Sequence, residues 1–250
     1  MISICMHGCN GKMGRVISQI VAADPSCSIT CGVDLQSAGT EYPVYSSVTD
    51  CQEPFDVVID FSTAAAVDSL LAQCISLSKP LVLCTTGLSG AQRQAVAAAA
   101  AEIPIFYSAN MSLGVNLITA LCRKAASVLA PAGFDIEIVE RHHNQKIDAP
   151  SGTALSIAES LKDELGDEYF FELDRPAKRQ KRDPKEIGIS AVRGGTIVGE
   201  HTVLFAGRDE LVEIKHTALS KEIFAIGAVN AAKFLLDKAP GLYDMTQLIG

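Results

Sequence analysis

Residues 2–21 read ISICMHGCNGKMGRVISQIV, and this stretch decides the fold expected for the first half of the chain. Residues 2–7 are a short apolar run, typical of a core strand. Apolar residues then recur at helical spacing: Met13, Val16, Ile17, Ile20 and Val21. The turn between them, Gly8 to Gly14, spaces its glycines as G-x-x-G-x-x-G. A strand, a glycine turn and a helix in this order place backbone amides at the pyrophosphate of a dinucleotide. A tight structural turn is the plainer alternative.

A second candidate strand, residues 28–34, ends in Asp34, twenty positions after Gly14. A carboxylate there would accept hydrogen bonds from the ribose hydroxyls of adenosine. It would also lie beside the 2′-phosphate of NADPH, which is unfavourable without a cation nearby. Residues 35–38 contain no Arg or Lys, and Lys12 is the nearest basic candidate. We therefore expect NADH or NADPH as the cofactor, with NADH working at least as well as NADPH.

Strands and helices continue to alternate up to residue 112. The strands are expected at 55–61, 80–84 and 104–108, and the helices at 67–75 and 89–101. This alternation predicts a doubly wound parallel sheet of the α/β class, whose ligands bind beyond the carboxyl ends of the strands. Two polar segments lie at those ends and are candidates for cofactor binding: Cys84, Thr85 and Thr86, and Ser108, Ala109, Asn110 and Met111. Simple helix capping explains either segment equally well when it is taken alone.

Residues 140–154 read ERHHNQKIDAPSGTA and concentrate polar chemistry between a predicted strand and a predicted helix. Imidazole and ammonium groups titrate on either side of neutrality, so His142 and Lys146 could supply protons to a reacting group. If the backbone is extended, His142 and His143 point to opposite faces. Amides of residues 151–153 would open the helix and favour a bound carboxylate or phosphate. The alternative is a polar loop in which Ser151 is only an N-cap. We prefer that alternative for any single residue, but not for the whole cluster.

The second half of the chain predicts an α+β domain. A helix at 113–130 leads into it, and strands at 134–141, 187–193, 196–206 and 210–216 are expected to form a mostly antiparallel sheet. The basic run at 175–185 is expected to be a mobile, solvated loop, with attraction of a dianionic substrate as the alternative. We expect residues 1–112 to bind the dinucleotide, 113–219 to form the substrate and oligomerisation domain, and 220–250 to pack back on the first domain.

Composition and charge exclude several classes of protein. The formal net charge is −8, whereas a nucleic-acid binder has a basic footprint. No apolar run approaches the ~20 residues that span a bilayer, and the N-terminus lacks a signal-peptide pattern. All eight cysteines lie in the first half without a C-x-x-C pair. Their spacing predicts no metal site or disulfide, and a reduced, cytoplasmic protein with core thiols.

The motif His-His-x-x-Lys-x-Asp-Ala-Pro-Ser-Gly-Thr-Ala at residues 142–154 resembles the signature of the bacterial dihydrodipicolinate reductases. The similarity extends from the first glycine turn to the last predicted helix. It implies NAD(P)H-dependent reduction of 4-hydroxy-tetrahydrodipicolinate, through its dehydrated form, in lysine and diaminopimelate biosynthesis. It also implies a small dicarboxylate substrate and a homotetramer.

The resemblance also assigns roles to individual residues. His142 would be the proton donor and acceptor, and Lys146 the proton donor. The substrate carboxylates would be held by His143, Gly152 and Thr153. The dinucleotide would be held by Gly8, Cys9, Asn10, Gly11, Lys12 and Met13, by Asp34, and by the two strand-end segments. The chain departs from the family where Cys84 replaces a common glycine and where no arginine follows Asp34. The roles of Arg193, His201 and Lys221 stay open.

Two other functions fit parts of the pattern. One is a different two-domain nicotinamide enzyme, such as an amino-acid dehydrogenase, which activity on the dihydrodipicolinate-type substrate would distinguish. The other is a nucleotide-binding sensor without turnover, which would bind NADH without oxidising it. The intact His-His-x-x-Lys cluster argues against the sensor.

Overall fold

The chain divides into two structural units. A computed structural model describes residues 1–36, 39–108 and 110–250. Unit 1 consists of Met1–Leu113 together with Glu222–Gly250, and unit 2 consists of Gly114–Lys221. The last part of the chain therefore belongs to the same unit as the first.

The regular elements are numbered in chain order. The strands are β1 (Ile2–His7), β2 (Cys27–Val33), β3 (Val44–Tyr45), β4 (Val57–Asp60), β5 (Leu81–Leu83), β6 (Pro104–Tyr107), β7 (Asp135–His142), β8 (Phe170–Glu172), β9 (Glu186–Arg193), β10 (Gly199–Ala206), β11 (Leu211–Ala218) and β12 (Gly241–Tyr243). The α-helices are α1 (Lys12–Ala22), α2 (Val67–Ser76), α3 (Gly90–Ala99), α4 (Leu113–Leu129), α5 (Gly152–Leu165), α6 (Glu222–Leu235) and α7 (Met245–Ile249). Short 3₁₀ turns lie at Val48–Asp50, Ala64–Ala66 and Arg175–Ala177.

Unit 1 contains a parallel sheet with the strand order β12-β6-β5-β4-β1-β2-β3. The chain runs outward from β1 to β3 and then returns to β4, on the other side of β1. The strand order therefore reverses between β1 and β4, where open α/β sheets bind their ligands. The predicted doubly wound sheet is confirmed.

Two apolar clusters cover the faces of this sheet. Ile4 and Met6 of β1 face one cluster, which includes α1 and α6, whereas Cys5 between them faces the other, which includes α2 and α3. The alternation follows from the period of two in a strand. Because both faces are covered, every residue of β4 and β5 is buried, as their continuous apolar runs predict.

Unit 2 contains a mixed sheet with the strand order β11-β10-β7-β9-β8. The β10–β11 and β10–β7 pairs are antiparallel, but β7–β9 and β8–β9 are parallel. The expectation of a mostly antiparallel sheet therefore needs correction. The reason is topological, since the connection from β7 to β9 includes α5 and returns in the same direction. Strands β9 and β10, although consecutive, are separated by β7. Helices α4 and α5 cover the buried face of the sheet.

The basic run at 175–185 is held to unit 2 by ion pairs. Arg182 contacts Asp135 at 2.8 Å and Glu137 at 3.0 Å, and it also donates to the carbonyls of Ile136 and Glu186 at 2.6 Å each. Arg175 pairs with Glu186, and Lys178 with Glu172. The expected solvated loop is therefore exposed over most of its length but is held to the sheet, and these cations neutralise carboxylates of the protein itself.

No α-helix in the described parts of the chain is both long enough and apolar enough to cross a membrane.

Candidate active site

The glycine turn after β1 brings the backbone close to its neighbours. Gly8 has φ +81°, and a Cβ there would lie 2.6 Å from the carbonyl oxygen of Phe61. A Cβ on Gly14 would lie 2.3 Å from the carbonyl oxygen of Gly8. Gly11, the N-cap of α1, makes no side-chain capping bond. The turn is thus a cradle with no side chain at Gly8, Gly11 or Gly14, at the N-terminus of α1, which suits a dinucleotide pyrophosphate.

Asp34 follows β2 and is held against this turn. Its carboxylate accepts hydrogen bonds from the amides of Asn10 at 2.9 Å and Leu35 at 2.8 Å. The carboxylate therefore lies at the carboxyl edge of the sheet, next to the glycine turn, in the position from which ribose hydroxyls are bound.

The predicted residues of the turn differ in what they offer a ligand. Cys9 is buried, and burial, together with the charge of Asp34, raises the pKa of its thiol to about 11. Met13 packs against the core. Only the backbone of Cys9 can therefore face a dinucleotide, whereas Lys12 is exposed.

A buried carboxylate, Asp60, joins the carboxyl ends of three strands. One oxygen lies 2.6 Å from Nδ1 of His7, and the other accepts from the Thr85 hydroxyl at 2.6 Å. The amide of Ser62 donates a hydrogen bond of 3.2 Å to the oxygen that lies near His7. Sequence reasoning missed Asp60, although an aspartate directly after the apolar residues 57–59 was a signal, because a buried carboxylate must be paired.

The two predicted strand-end segments have most of their polar groups engaged within the protein. Burial raises the pKa of the Cys84 thiol well above its ordinary value. The Thr85 hydroxyl donates to Asp60, whereas Thr86 is exposed. The Ser108 hydroxyl donates to the carbonyl of Asn110 at 3.0 Å. Met111 is buried, and Ala109 lies outside the described residues.

In unit 2, Glu140 and His142 lie on the same face of β7. The burial of this strand alternates, with Ile136, Ile138, Glu140 and His142 all inside. Glu140 is fully buried, and its Oε2 lies 2.6 Å from Nδ1 of His142. The alternation that predicted the strand also predicts this shared face, and it could have identified Glu140, which the sequence analysis left without a role.

Arg193 completes the surroundings of Glu140. It donates two hydrogen bonds of 2.7 Å to the carboxylate, and the Ser151 amide adds one of 3.0 Å. Burial acts to raise the pKa of Glu140. Hydrogen bonds from Arg193, His142 and Ser151 outweigh burial and hold this pKa below its ordinary value. Glu140 is therefore an anion, and it accepts a hydrogen bond from the protonated Nδ1 of His142. Nε2 of His142 is then available for chemistry.

His201 extends this network. Its ring meets that of His142 edge to face at 5.2 Å, and its Nε2 lies 3.1 Å from the Ser151 hydroxyl. Burial first, and then the charge of His142, lower the pKa of His201 to about 4. His201 is therefore neutral near pH 7, and its Nε2 shares a hydrogen bond with the Ser151 hydroxyl. The structure places Arg193 and His201, whose roles were open, in one buried network around His142.

Lys146 and the first residues of α5 lie near this network and form the polar part of the candidate site in unit 2. Lys146 Nζ contacts Asp148 at 2.8 Å, and Lys146 and the Gly152 amide lower the pKa of Asp148. Ser151 is the N-cap of α5, as the alternative interpretation predicted, and accepts from Ala154 at 3.2 Å. His143, one residue beyond β7, is half-buried. Gly152 and Thr153 begin the helix, whose positive end favours carboxylates.

The chain is similar to known proteins over almost its whole length. Two family models match it: "Dihydrodipicolinate reductase, N-terminus" over residues 2–111 and "Dihydrodipicolinate reductase, C-terminus" over residues 114–249. The 4-hydroxy-tetrahydrodipicolinate reductase of Caldanaerobacter subterraneus subsp. tengcongensis is 49% identical over 100% of this chain and 98% of its own. That of Clostridium novyi is 45% identical with the same coverage.

The fold also matches a solved structure. A dipicolinate-bound dihydrodipicolinate reductase from Paenisporosarcina sp. TG-14 superimposes with a TM-score of 0.83 at 22% identity, covering 98% of this chain and 97% of that one. At this identity the likeness concerns the fold alone.

Proposed function

Because this chain belongs to the dihydrodipicolinate reductase family, we propose that it reduces 4-hydroxy-tetrahydrodipicolinate, through its dehydrated form, to tetrahydrodipicolinate in lysine and diaminopimelate biosynthesis. It is an NAD(P)H-dependent oxidoreductase. The observation that carries the proposal is the pair of family models, which together match residues 2–111 and 114–249. The buried Glu140–His142 pair supports it, since it gives the family motif a proton-transfer group.

Unit 1 is the proposed dinucleotide-binding domain. NADH or NADPH supplies a hydride to the substrate when bound. The glycine cradle fits the pyrophosphate because Gly8 and Gly14 leave no room for a side chain. Asp34 would bind the ribose hydroxyls, Lys12 would reach a phosphate, and Cys84 would contribute through its backbone. The other proposed contacts are Cys9, Asn10, Gly11, Met13, Thr85, Thr86, Ser108, Asn110 and Met111.

His142 and Lys146 are the proposed proton-transfer residues. A substrate that accepts a hydride gains negative charge, which a positioned acid neutralises. Nε2 of His142 is the nitrogen that Glu140 does not occupy, and the Glu140 charge would stabilise the protonated imidazole. Lys146 would supply the second acid from the same loop.

The N-terminus of α5 is the proposed site for a substrate carboxylate. Amides of Gly152 and Thr153 and the side chain of His143 would bind it. In the structure, the carboxylate of Asp148 interacts with both Lys146 and the Gly152 amide, which supports the binding of an anionic oxygen next to these groups. A reductase that binds dipicolinate, a dicarboxylate, supports a substrate of this class.

Assembly and compartment belong to the proposal as well. We propose a homotetramer built through the sheet of unit 2, as in the family. We also propose a cytoplasmic setting, which the eight free thiols support because disulfides are rare there. Light scattering and cell fractionation test these two statements.

The decisive test is an assay of product formation, coupled to the synthase that precedes this reaction, with NADH and NADPH in parallel. Turnover with both cofactors, with NADH at least as effective, is the expected result. NADH binding without oxidation would identify a sensor instead. Oxidation coupled only to an amino acid or keto acid would identify a different nicotinamide enzyme.

A further inference from the structure

Three thiols of unit 1 converge although their spacing in the chain gives no sign of it. The sulfur atoms of Cys5, Cys31 and Cys51 all lie within 4.8 Å of one another. Cys5 of β1 and Cys31 of β2 are direct partners in the parallel pair, at the register shift that follows Ile4. Cys51 ends the 3₁₀ turn at Val48–Asp50. We call Cys5, Cys31 and Cys51 the thiol cluster.

The spacing of the cluster suits coordination. Cys5 Sγ and Cys51 Sγ are 4.0 Å apart. Three sulfurs bound at about 2.3 Å to one metal in a trigonal plane lie about 4.0 Å from each other. A disulfide would require the sulfurs to approach to about 2.0 Å. The Cys5–Cys51 separation therefore matches the spacing of thiolates around a small cation and is far longer than a disulfide bond.

The surroundings of the cluster also favour a cation. Oε2 of Glu53 is buried and has no hydrogen-bond partner in the described part of the chain, while Oε1 accepts from the Tyr45 hydroxyl at 3.2 Å. A buried carboxylate oxygen without a donor is costly, and a nearby cation would relieve that cost. The charge of Glu53 acts on Cys31, so the carboxylate belongs to the surroundings of the cluster.

We propose that the thiol cluster binds one thiophilic d¹⁰ cation, Cu(I) or Zn(II), through its three thiolates. Soft thiolate ligands select these ions. Each thiol that coordinates loses its proton, so binding releases protons and weakens as the pH falls. Cys51 is half-buried, unlike Cys5 and Cys31, and provides the route of entry. The site is separate from the reductase chemistry, and neither proposal depends on the other.

The test titrates the reduced full-length protein anaerobically with Cu(I), and separately with Cd(II) as the spectroscopic substitute for Zn(II). The wild-type chain should bind one equivalent with a thiolate-to-metal charge-transfer band in the ultraviolet. The Cys51→Ser variant should lose the band and at least about tenfold in affinity, as even outer-shell changes cost that much. Cys27→Ser, a cysteine of unit 1 outside the cluster, is the matched control and should bind like wild type.

Two further measurements distinguish the two ions and exclude misfolding of the Cys51→Ser variant as the cause of a lost band. Glu53→Gln removes a nearby negative charge and should weaken the divalent Cd(II) more than the monovalent Cu(I). Methylthiolation of Cys51 in the folded wild type should abolish the band without a substitution. Binding that survives both the Cys51→Ser substitution and this block, or a Cys5–Cys51 disulfide formed in place of a complex, would overturn the proposal.

Discussion

Glu140 determines what His142 can do. It is buried, it is anionic, and it binds His142, Arg193 and Ser151. A glutamine has the same shape but no charge, so it would support a protonated imidazole poorly and leave Arg193 without its counter-charge. We expect Glu140→Gln to lower kcat on the order of 10²-fold or more while NADH affinity stays unchanged.

The control for this variant is Glu137→Gln. Glu137 is also on β7, but it lies on the other face and pairs with Arg182. Steady-state kinetics and NADH fluorescence titration measure the two effects. A Glu140→Gln enzyme with wild-type kcat would show that Glu140 only holds the fold together.

His142→Gln and Lys146→Ala should each reduce turnover far more than they weaken NADH binding. The reason is that both groups are assigned to proton transfer to the substrate, which the dinucleotide does not need for binding. Lys124→Ala, an exposed lysine of α4, serves as the control. Equal losses of turnover and NADH affinity in either variant would remove its assigned role.

Protonation of His201 should destabilise unit 2. Its pKa falls from an ordinary 6.5 to about 4 because it is buried. The unfolded chain therefore binds a proton that the folded chain does not, and stability decreases as the pH falls from about 6.5 toward 4. Over that whole window the loss is on the order of 3 kcal/mol.

Urea unfolding at pH 7 and pH 5 measures this loss for wild type and His201→Gln. The variant should show a clearly smaller pH dependence, while His143→Gln should keep that of wild type. An identical pH dependence in His201→Gln would assign the effect to another group.

Among the elements, the glycine turn and the first turn of α1 should be sensitive to substitution. Gly14→Ala would place a methyl group 2.3 Å from the Gly8 carbonyl. We expect a loss of ~1–3 kcal/mol in unfolding free energy and weaker NADH binding, since the cradle must widen. Gly90→Ala in the first turn of α3 is the matched control, because a Cβ there meets nothing within 4 Å. Thermal melts and NADH titration compare them, and equal behaviour would refute the cradle.

Local patterns predicted the longer elements but not the order of the strands. β1, α1 and β7 follow from apolar periodicity, because burial of one face imposes it. Val44–Tyr45 and Gly241–Tyr243 are too short to carry a period and exist only through pairing with neighbouring strands. The position of β7 between β9 and β10 depends on partners distant in sequence, so no local pattern reveals it.

The same limit applies to the site. The motif at 142–154 indicated His142 and Lys146 because unusual residue types are concentrated there. Asp60 with His7, Arg193 with Glu140, and the thiol cluster all join residues twenty or more positions apart. Spacing rules consider only residues that are close in sequence. The spacing of the cysteines therefore did not predict the thiol cluster.

For the molecule as a whole, the two units should respond to different ligands. NADH should slow backbone hydrogen exchange at residues 8–14 and 34 of unit 1, because these residues are proposed to bind it. Dipicolinate alone should protect residues 142–153 of unit 2. Exchange measured by mass spectrometry tests both, with residues 167–185 as an internal control. Protection of 142–153 by NADH alone, without change at 8–14, would contradict the assignment of the units.

The central place of β7 in its sheet has a consequence for biosynthesis. Glu140 leaves the ribosome 53 residues before Arg193, and both strands that flank β7 are translated after it. The Glu140–Arg193 pair can therefore form only late in synthesis, and a chain interrupted before residue 193 would contain the whole signature motif without this ion pair.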